Sequence, residues 1–470
     1  MRAGSGESRE SRESRVARVW LTLRALLPLG LPLGHGTVLA NAGSLVLATG
    51  ATSVLGYLFW GVAARQFLPS DVGAASAAIS AMMLLGTLGM LGLGTLLIGE
   101  LPRQPGREGA LIGAALLLAG AAGVVLGAIW ALVAPALSPE LVPLGGGPAG
   151  VAVFALGAGL TSAVLVLDQA LLGLLRGDLQ LGRNVAFGLV KLALLAGLSL
   201  WLAGGQGLAI YLAWQVGNLV SLALLGAYAL RSRPGRAGRA LPQPTRGLLR
   251  HLHRPAINHH LLNLSLQVPH LALPVIVTVL LSATVNAYFY MAWMIGGFVF
   301  VVPVALTMAV FAVGARAPAV LASKVRFTLK LAFGLGLLAN VVLLVCARPL
   351  LSLFGPAYAD QAEWCLRILA LGVFPLIVKD HYVAACRVEG RIGRAAVVAG
   401  AGAGLELGAA AAGALAGGLI GLSLAWVGAL CVEAALLALP VCRAAGWLPR
   451  PPSGVRPQGW ALDAKLSPSE

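Results

Sequence analysis

Twelve long apolar stretches constrain this 470-residue chain more than anything else in it. They run near 38–62, 73–98, 109–136, 149–175, 184–203, 207–230, 257–281, 285–314, 327–346, 364–386, 395–415 and 418–441. Each has about the 20 apolar residues that a helix needs to cross a bilayer. If the first stretch starts at the cytoplasmic side, the gaps between them alternate inside and outside. Twenty-eight of the 33 Lys and Arg then fall in inside segments, and only Arg65 and Arg348 fall outside. A wrong count of spans would scramble this alternation, so charge tests the count independently of hydropathy. The expected fold is all-α: a polytopic membrane protein with twelve transmembrane helices in two six-helix bundles around a central cleft, both termini cytoplasmic.

Charged residues make up 11% of the chain, against about 25% in soluble domains. The net charge of +16 reads as topological, set against an anionic leaflet. Nucleic acid is not indicated, because aromatics are only 6% of residues and base-edge readers are missing. Cys346, Cys365, Cys386, Cys431 and Cys442 form no CxxC and are expected to be small buried residues. No metal site or cofactor is expected from the cysteines or the seven histidines.

The basic linker 231–254 divides the spans six and six. Residues 37–230 and 255–442 are the expected bundles, followed by a cytoplasmic tail at 443–470. Residues 1–36 are the expected cytoplasmic N-terminal segment. Within it, Val16, Val19, Trp20, Leu23, Leu26 and Leu27 oppose Arg15, Arg18 and Arg24 at helical spacing, the pattern of a helix lying in the membrane interface. A cleavable signal peptide is the rival, but Pro28 and Pro32 interrupt its apolar run. The halves share an octet, Arg-x-acid-x-x-aliphatic-Gly-Arg, at 176–183 and at 387–394, an offset of 211. Val72-Gly73 and Val285-Asn286 match at 213. An even number of spans per unit makes these parallel repeats about an axis normal to the membrane, and such units can rock around a midplane site.

Several stretches carry a family likeness: Leu55-Gly56-Tyr57-Leu58-Phe59-Trp60, Asp71-Val72-Gly73-Ala74-Ala75-Ser76-Ala77, Leu167-Asp168-Gln169 through Arg176-Gly177, Asn286-Ala287-Tyr288-Phe289-Tyr290-Met291-Ala292-Trp293, and Phe354-Gly355-Pro356-Ala357-Tyr358. From 38 to 441 the chain resembles the polysaccharide-exporter branch of the multidrug/oligosaccharidyl-lipid/polysaccharide exporter superfamily, the O-antigen-type flippases of bacteria. The resemblance implies a flippase in the bacterial cytoplasmic (inner) membrane that moves lipid-linked oligosaccharides on polyprenyl diphosphate by alternating access for cell-surface polysaccharide biosynthesis. It also implies association with the polysaccharide polymerase and glycosyltransferases. Peptidoglycan-precursor flippases look different, with several arginines in their cavity, whereas here the eighth span has no charged residue.

Ionisable residues within spans are costly and by default face a cavity or a partner. Asp168 lies eight residues before Arg176 and Lys191 eight after Arg183, which puts both about 12 Å from the same membrane face. They are expected to pair. Lys379 with Glu406 is the crossed counterpart in the second half, Asp380 turns about 100° away from Lys379, and Glu433 is expected to stand alone. Lys191, Lys379 and Arg367 are the candidate contacts to a substrate phosphate, with Arg367 also placed to snorkel. Asp168, Asp380, Glu406 and Glu433 are the candidate ion-pair or H⁺/Na⁺-coupling acids. The alternatives are a cation-coupled multidrug exporter, whose cavity wants acids and aromatics, and more distantly a membrane enzyme of polysaccharide assembly. The short outer gaps and the lack of any HExxH, Ser-His-Asp or phosphate-loop pattern argue against an enzyme.

Overall fold

The computed structural model describes residues 36–141, 147–201, 207–232, 254–314 and 321–449. The expected interfacial helix at 15–33, most of the linker and most of the C-terminal tail lie outside the described residues. Regular structure among those described is entirely helical. The elements are α1 (Gly36–Gln66), α2 (Pro69–Gly89), α3 (Leu93–Glu100), α4 (Glu108–Leu137), α5 (Gly147–Gly173), α6 (Gly177–Trp201) and α7 (Gly207–Ser232). The second half holds α8 (Arg254–Leu280), α9 (Ala283–Gly314), α10 (Leu321–Ser352), α11 (Pro356–Leu371), α12 (Val373–Val388) and α13 (Ile392–Ala444). Ten described helices are long and apolar enough to cross a membrane, counting α11–α12 and α13 once each. Helix α13 folds back on itself at Gly417 and Gly418, where φ reaches 59°, so its two arms are separate passes. With α1, the passes number twelve and fall where hydropathy puts them.

Local breaks follow from backbone chemistry. The second span divides into α2 and α3 at Leu91 and Gly92, both with positive φ. Pro69 opens α2, where its missing N–H costs nothing. Pro274 removes the donor that would meet the His270 carbonyl one turn earlier, and the Trp293 indole N–H donates to that carbonyl instead, at 3.2 Å. The bend between α11 and α12 sits at Gly372, where a Cβ would press on the Trp426 ring at 2.8 Å.

The octet repeat turns out not to mark the structural register. The turn after α5 is closed by Arg176 N–H donating to the Leu171 carbonyl, and the turn after α12 by Arg391 N–H donating to the Cys386 carbonyl, both at 2.8 Å. Arg176 therefore corresponds to Arg391, an offset of 215, and not to Arg387. In that register Lys191 corresponds to Glu406: each lies 14 residues beyond the first residue of its helix.

The first six passes pack chiefly among themselves, as do the last six, and α2 joins the halves by packing on α8 and α9. Gly73 abuts Ala283 and Ala287 so closely that a side chain there would overlap the backbone of α9. At the same end Asn286 Nδ2 donates to the Gly73 carbonyl (2.8 Å) and to Ser76 Oγ (3.0 Å), and Glu140 accepts the Ala283 N–H. Arg65 Nε donates to the Leu353 carbonyl at 2.8 Å. Tyr57 meets Phe354 with ring centroids 4.9 Å apart, and Trp60 meets Tyr290 at 4.7 Å. Four of the five stretches that carry the family likeness thus lie at a seam between the halves, and the fifth, from Leu167 to Gly177, lies within the first half. Among the cysteines, Cys365 and Cys386 are buried as expected, but Cys431 is exposed on the helix surface, where a small apolar side chain suits lipid.

Candidate functional site

A cavity of about 360 Å³ opens within the C-terminal half, lined from α8, α9, α12 and α13. Trp293, Phe300 and Trp426 form one wall, with Trp293 and Trp426 centroids 4.8 Å apart and Phe300 6.0 Å from each. Lys379, Asp380, Arg387 and Glu406 bring charge to it.

Lys379 is only 4% exposed and sits between two carboxylates. Its Nζ donates to Glu406 Oε1 and lies 2.9 Å from Glu433 Oε2. The Trp426 indole N–H holds Glu406 Oε2 at 2.8 Å. The expected Lys379–Glu406 pair is formed. Glu433 does not stand alone as expected, because the fold-back of α13 brings its second arm against the first. Gly402 leaves the room, since a Cβ there would collide with the Glu433 carboxylate. Glu433 Oε1 is buried without a hydrogen-bond partner. One ammonium between two acids leaves the clamp with a formal charge of −1 when both are ionised.

Asp380, the next residue, turns to the cavity and has no hydrogen-bond or ion-pair partner among the described residues. Arg387, two turns on, reaches across to α8 and α9. Its Nη2 donates to Asn263 Oδ1 at 2.9 Å, Nη1 meets only the Met308 sulfur at 3.7 Å, and Nε is unpartnered. It has no acid within ion-pair range among the described residues.

The N-terminal half departs from expectation. Asp168 does not pair with Lys191. It takes Arg183 in a two-pronged bridge at 2.9 and 2.7 Å, which Asn184 (2.6 Å) extends. Equal depth places two residues at one level but not on facing sides. Helix α6 meets α5 only near their shared turn, where Arg183 lies, and then packs on α1 and α7. Lys191, further along, therefore faces α1 and α7. Its Nζ stands 3.7 Å from the Trp214 ring centroid, 4.5 Å from Phe187 and 4.8 Å from Phe59. It is 4% exposed, and Gly217 permits the close approach of α7. Lys191 and Lys379 share no groove, contrary to the expected central cleft holding both. Arg367 lies apart from the cavity on the α10–α11 surface, bridged to Glu363 at 2.7 Å and donating to the Leu344 carbonyl at 3.1 Å.

Arg183, Arg387, Trp293 and Trp426 are the residues that sequence reasoning passed over. By sequence Arg183 and Arg387 count as topological cations, because each stands at the end of a span beside a basic gap. Hydropathy cannot tell an arginine that faces the leaflet from one that folds back under the helices.

Residues 264–411 match the MatE family model. No curated protein matches the chain. Among solved structures it is similar to the inward-facing conformation of a multidrug resistance MATE family transporter of the MOP superfamily, with TM-score 0.63 and 17% identity over 84% of this chain and 95% of that one. It is also similar to the lipid II flippase MurJ in an inward closed conformation, with TM-score 0.65 and 13% identity over 84% and 87%. The outward-facing conformation of a multidrug resistance MATE family transporter gives 0.52 at 14% identity, over 87% and 96%. At these identities the likeness shows a shared fold, that of MATE-type transporters of the MOP superfamily.

Proposed function

We propose that this chain is an alternating-access transporter that moves an amphiphile with a charged head, and that the cavity of the C-terminal half receives that head. The observation that carries this reading is the meeting of aromatic rings with two charges of opposite sign, Asp380 and Arg387, neither held in an ion pair among the described residues, inside a fold whose halves are sealed at one end. Charge held inside a membrane protein outside an ion pair is expensive, so a structural role alone accounts for it poorly. The seam through Gly73 and Asn286 and the better match to an inward-facing fold both support a cytoplasm-facing state.

The lipid-linked oligosaccharide exporter is one form of this reading. Lys191 is held by three rings and Lys379 by two acids, so neither is free for a diphosphate, and Arg387 becomes the cation to receive it. A cation-coupled multidrug exporter is the second form, favoured by Asp380 beside Trp293, Phe300 and Trp426. In both, the Lys379 ammonium already fills the place between Glu406 and Glu433, so the coupling ion at the clamp is a proton. Glu433, with one oxygen unpartnered, carries it.

Proteoliposomes separate the two forms. Fluorescent lipid-linked oligosaccharide and a permeant cationic dye are each followed with and without a pH or sodium gradient. Oligosaccharide turnover without dye movement supports the flippase, and dye extrusion driven by a pH gradient supports the drug exporter. Movement of neither cargo refutes the transporter reading in both forms.

A further inference from the structure

We infer that the preferred head group is zwitterionic, an ammonium joined through a short link to a phosphate ester. This deepens the reading above and rests on the cavity being the cargo site. Asp380 and Arg387 lie on the same helix, seven residues apart. Seven residues turn the helix through almost two full circles, so both face the cavity, and they rise about 10 Å along it. Each is a charge without a counter-charge at ion-pair distance among the described residues.

A lone cation would satisfy Asp380 and be repelled by Arg387. A lone anion would do the reverse. A dipolar head satisfies both at once. An ammonium and a phosphate joined by a short link offer each of these side chains a charge-assisted contact from one ligand. The aromatic wall reinforces the orientation. Trp293, Phe300 and Trp426 line the cavity and suit an alkylated ammonium, whereas the planar guanidinium of Arg387 suits a phosphate. The clamp does not compete, because Lys379 is occupied by Glu406 and Glu433.

The same chemistry exists on a soluble metabolite and on a membrane lipid. The full chain in phosphatidylglycerol nanodiscs is titrated with glycerophosphocholine, choline and glycerophosphoglycerol, with binding followed by ligand-detected NMR. Glycerophosphocholine should bind about tenfold more tightly than either singly charged probe, the scale of one added charge-assisted contact. Asp380→Asn should drop it to the level of glycerophosphoglycerol, and Arg387→Gln to the level of choline. Equal binding of choline and glycerophosphocholine, or an order unmoved by either substitution, overturns the inference while leaving the cavity as a binding site. Binding of none of the three to folded protein, judged by unchanged thermal unfolding, overturns the cavity reading as well. In proteoliposomes, acyl-labelled phosphatidylcholine that becomes extractable by albumin faster than acyl-labelled phosphatidylglycerol places the head group on a lipid. Binding of the soluble probe without lipid movement places it on a free solute.

Discussion

The two halves of this molecule are built on the same sequence of helices and use their buried charges in opposite ways. In the N-terminal half, Asp168 is saturated by a bidentate arginine that Asn184 also contacts, and Lys191 is enclosed by rings. In the C-terminal half, one ammonium serves two acids, and a neighbouring acid and arginine face a cavity without an ion-pair partner among the described residues. The register set by the turns makes the contrast sharper, because Lys191 and Glu406 occupy equivalent positions. In the first half the acid is paired and the lysine is sealed among rings, so that half behaves as a scaffold; in the second, charge faces a cavity, where a ligand has something to gain.

The sharpest way to break this contrast is to empty the clamp. Lys379→Met leaves Glu406 and Glu433 buried with no cation between them. Removing one partner from a buried ion pair costs about 3–5 kcal/mol, and mutual repulsion of two acids puts this case at the upper end. Thermal unfolding in detergent should show the largest loss of any single substitution here. Adding Glu406→Gln and Glu433→Gln should recover most of it while abolishing any proton-driven flux. A stable Lys379→Met protein would mean that the clamp is not a closed electrostatic unit.

Asp168→Asn tests the other half. Arg183 would keep Asn184 (2.6 Å) and the longer contact to Ser221 at 3.5 Å, so the expected loss is at the lower end, about 3 kcal/mol. Transport per folded molecule should be unchanged. A loss of flux at full stability would move a functional charge into the N-terminal half and dissolve the contrast.

These two pairs also show how far the sequence carried. Apolar length and charge alternation placed all twelve passes, down to the hairpin at Gly417–Gly418, because lipid leaves a chain few options. Depth from the membrane face found Lys379 with Glu406, since their helices stay adjacent. It failed for Asp168 and Lys191, since α6 leaves α5 after its first turns. Helix azimuth and the choice of neighbours are tertiary facts, and they separate a pair from two residues at one level. The octet misled for a similar reason: Arg-x-acid recurs, but the turns it flanks are offset by four residues. Glu433 was read as solitary because nothing local says that the second arm of α13 lies against the first at Gly402.

Lys191→Met predicts an effect of the opposite sign. Cation–π contacts are worth about 0.5–2 kcal/mol, and an apolar side chain of similar length keeps the packing against Phe59, Phe187 and Trp214. Replacing buried charge by a well-packed apolar group is often neutral or stabilising, so stability should rise by about 1 kcal/mol with transport retained. If flux collapses while the protein unfolds at a higher temperature, Lys191 is reached by cargo in another conformation, and the N-terminal half holds a site of its own.

Arg367→Ala should have the smallest effect. Its bridge to Glu363 is an i, i+4 pair near the surface, and Glu363 keeps Arg348 at 3.1 Å. Pairs near the surface contribute under about 1 kcal/mol, so unfolding should shift little, and less at high salt because the pair is screened. Flux should match the parent chain at every cargo concentration. Arg367 lies within the second half yet outside its cavity, so it separates two explanations of that half's importance. If position in the C-terminal half were enough, this substitution would slow transport. If charge facing the cavity is what matters, Arg387→Gln will change cargo affinity and Arg367→Ala will not.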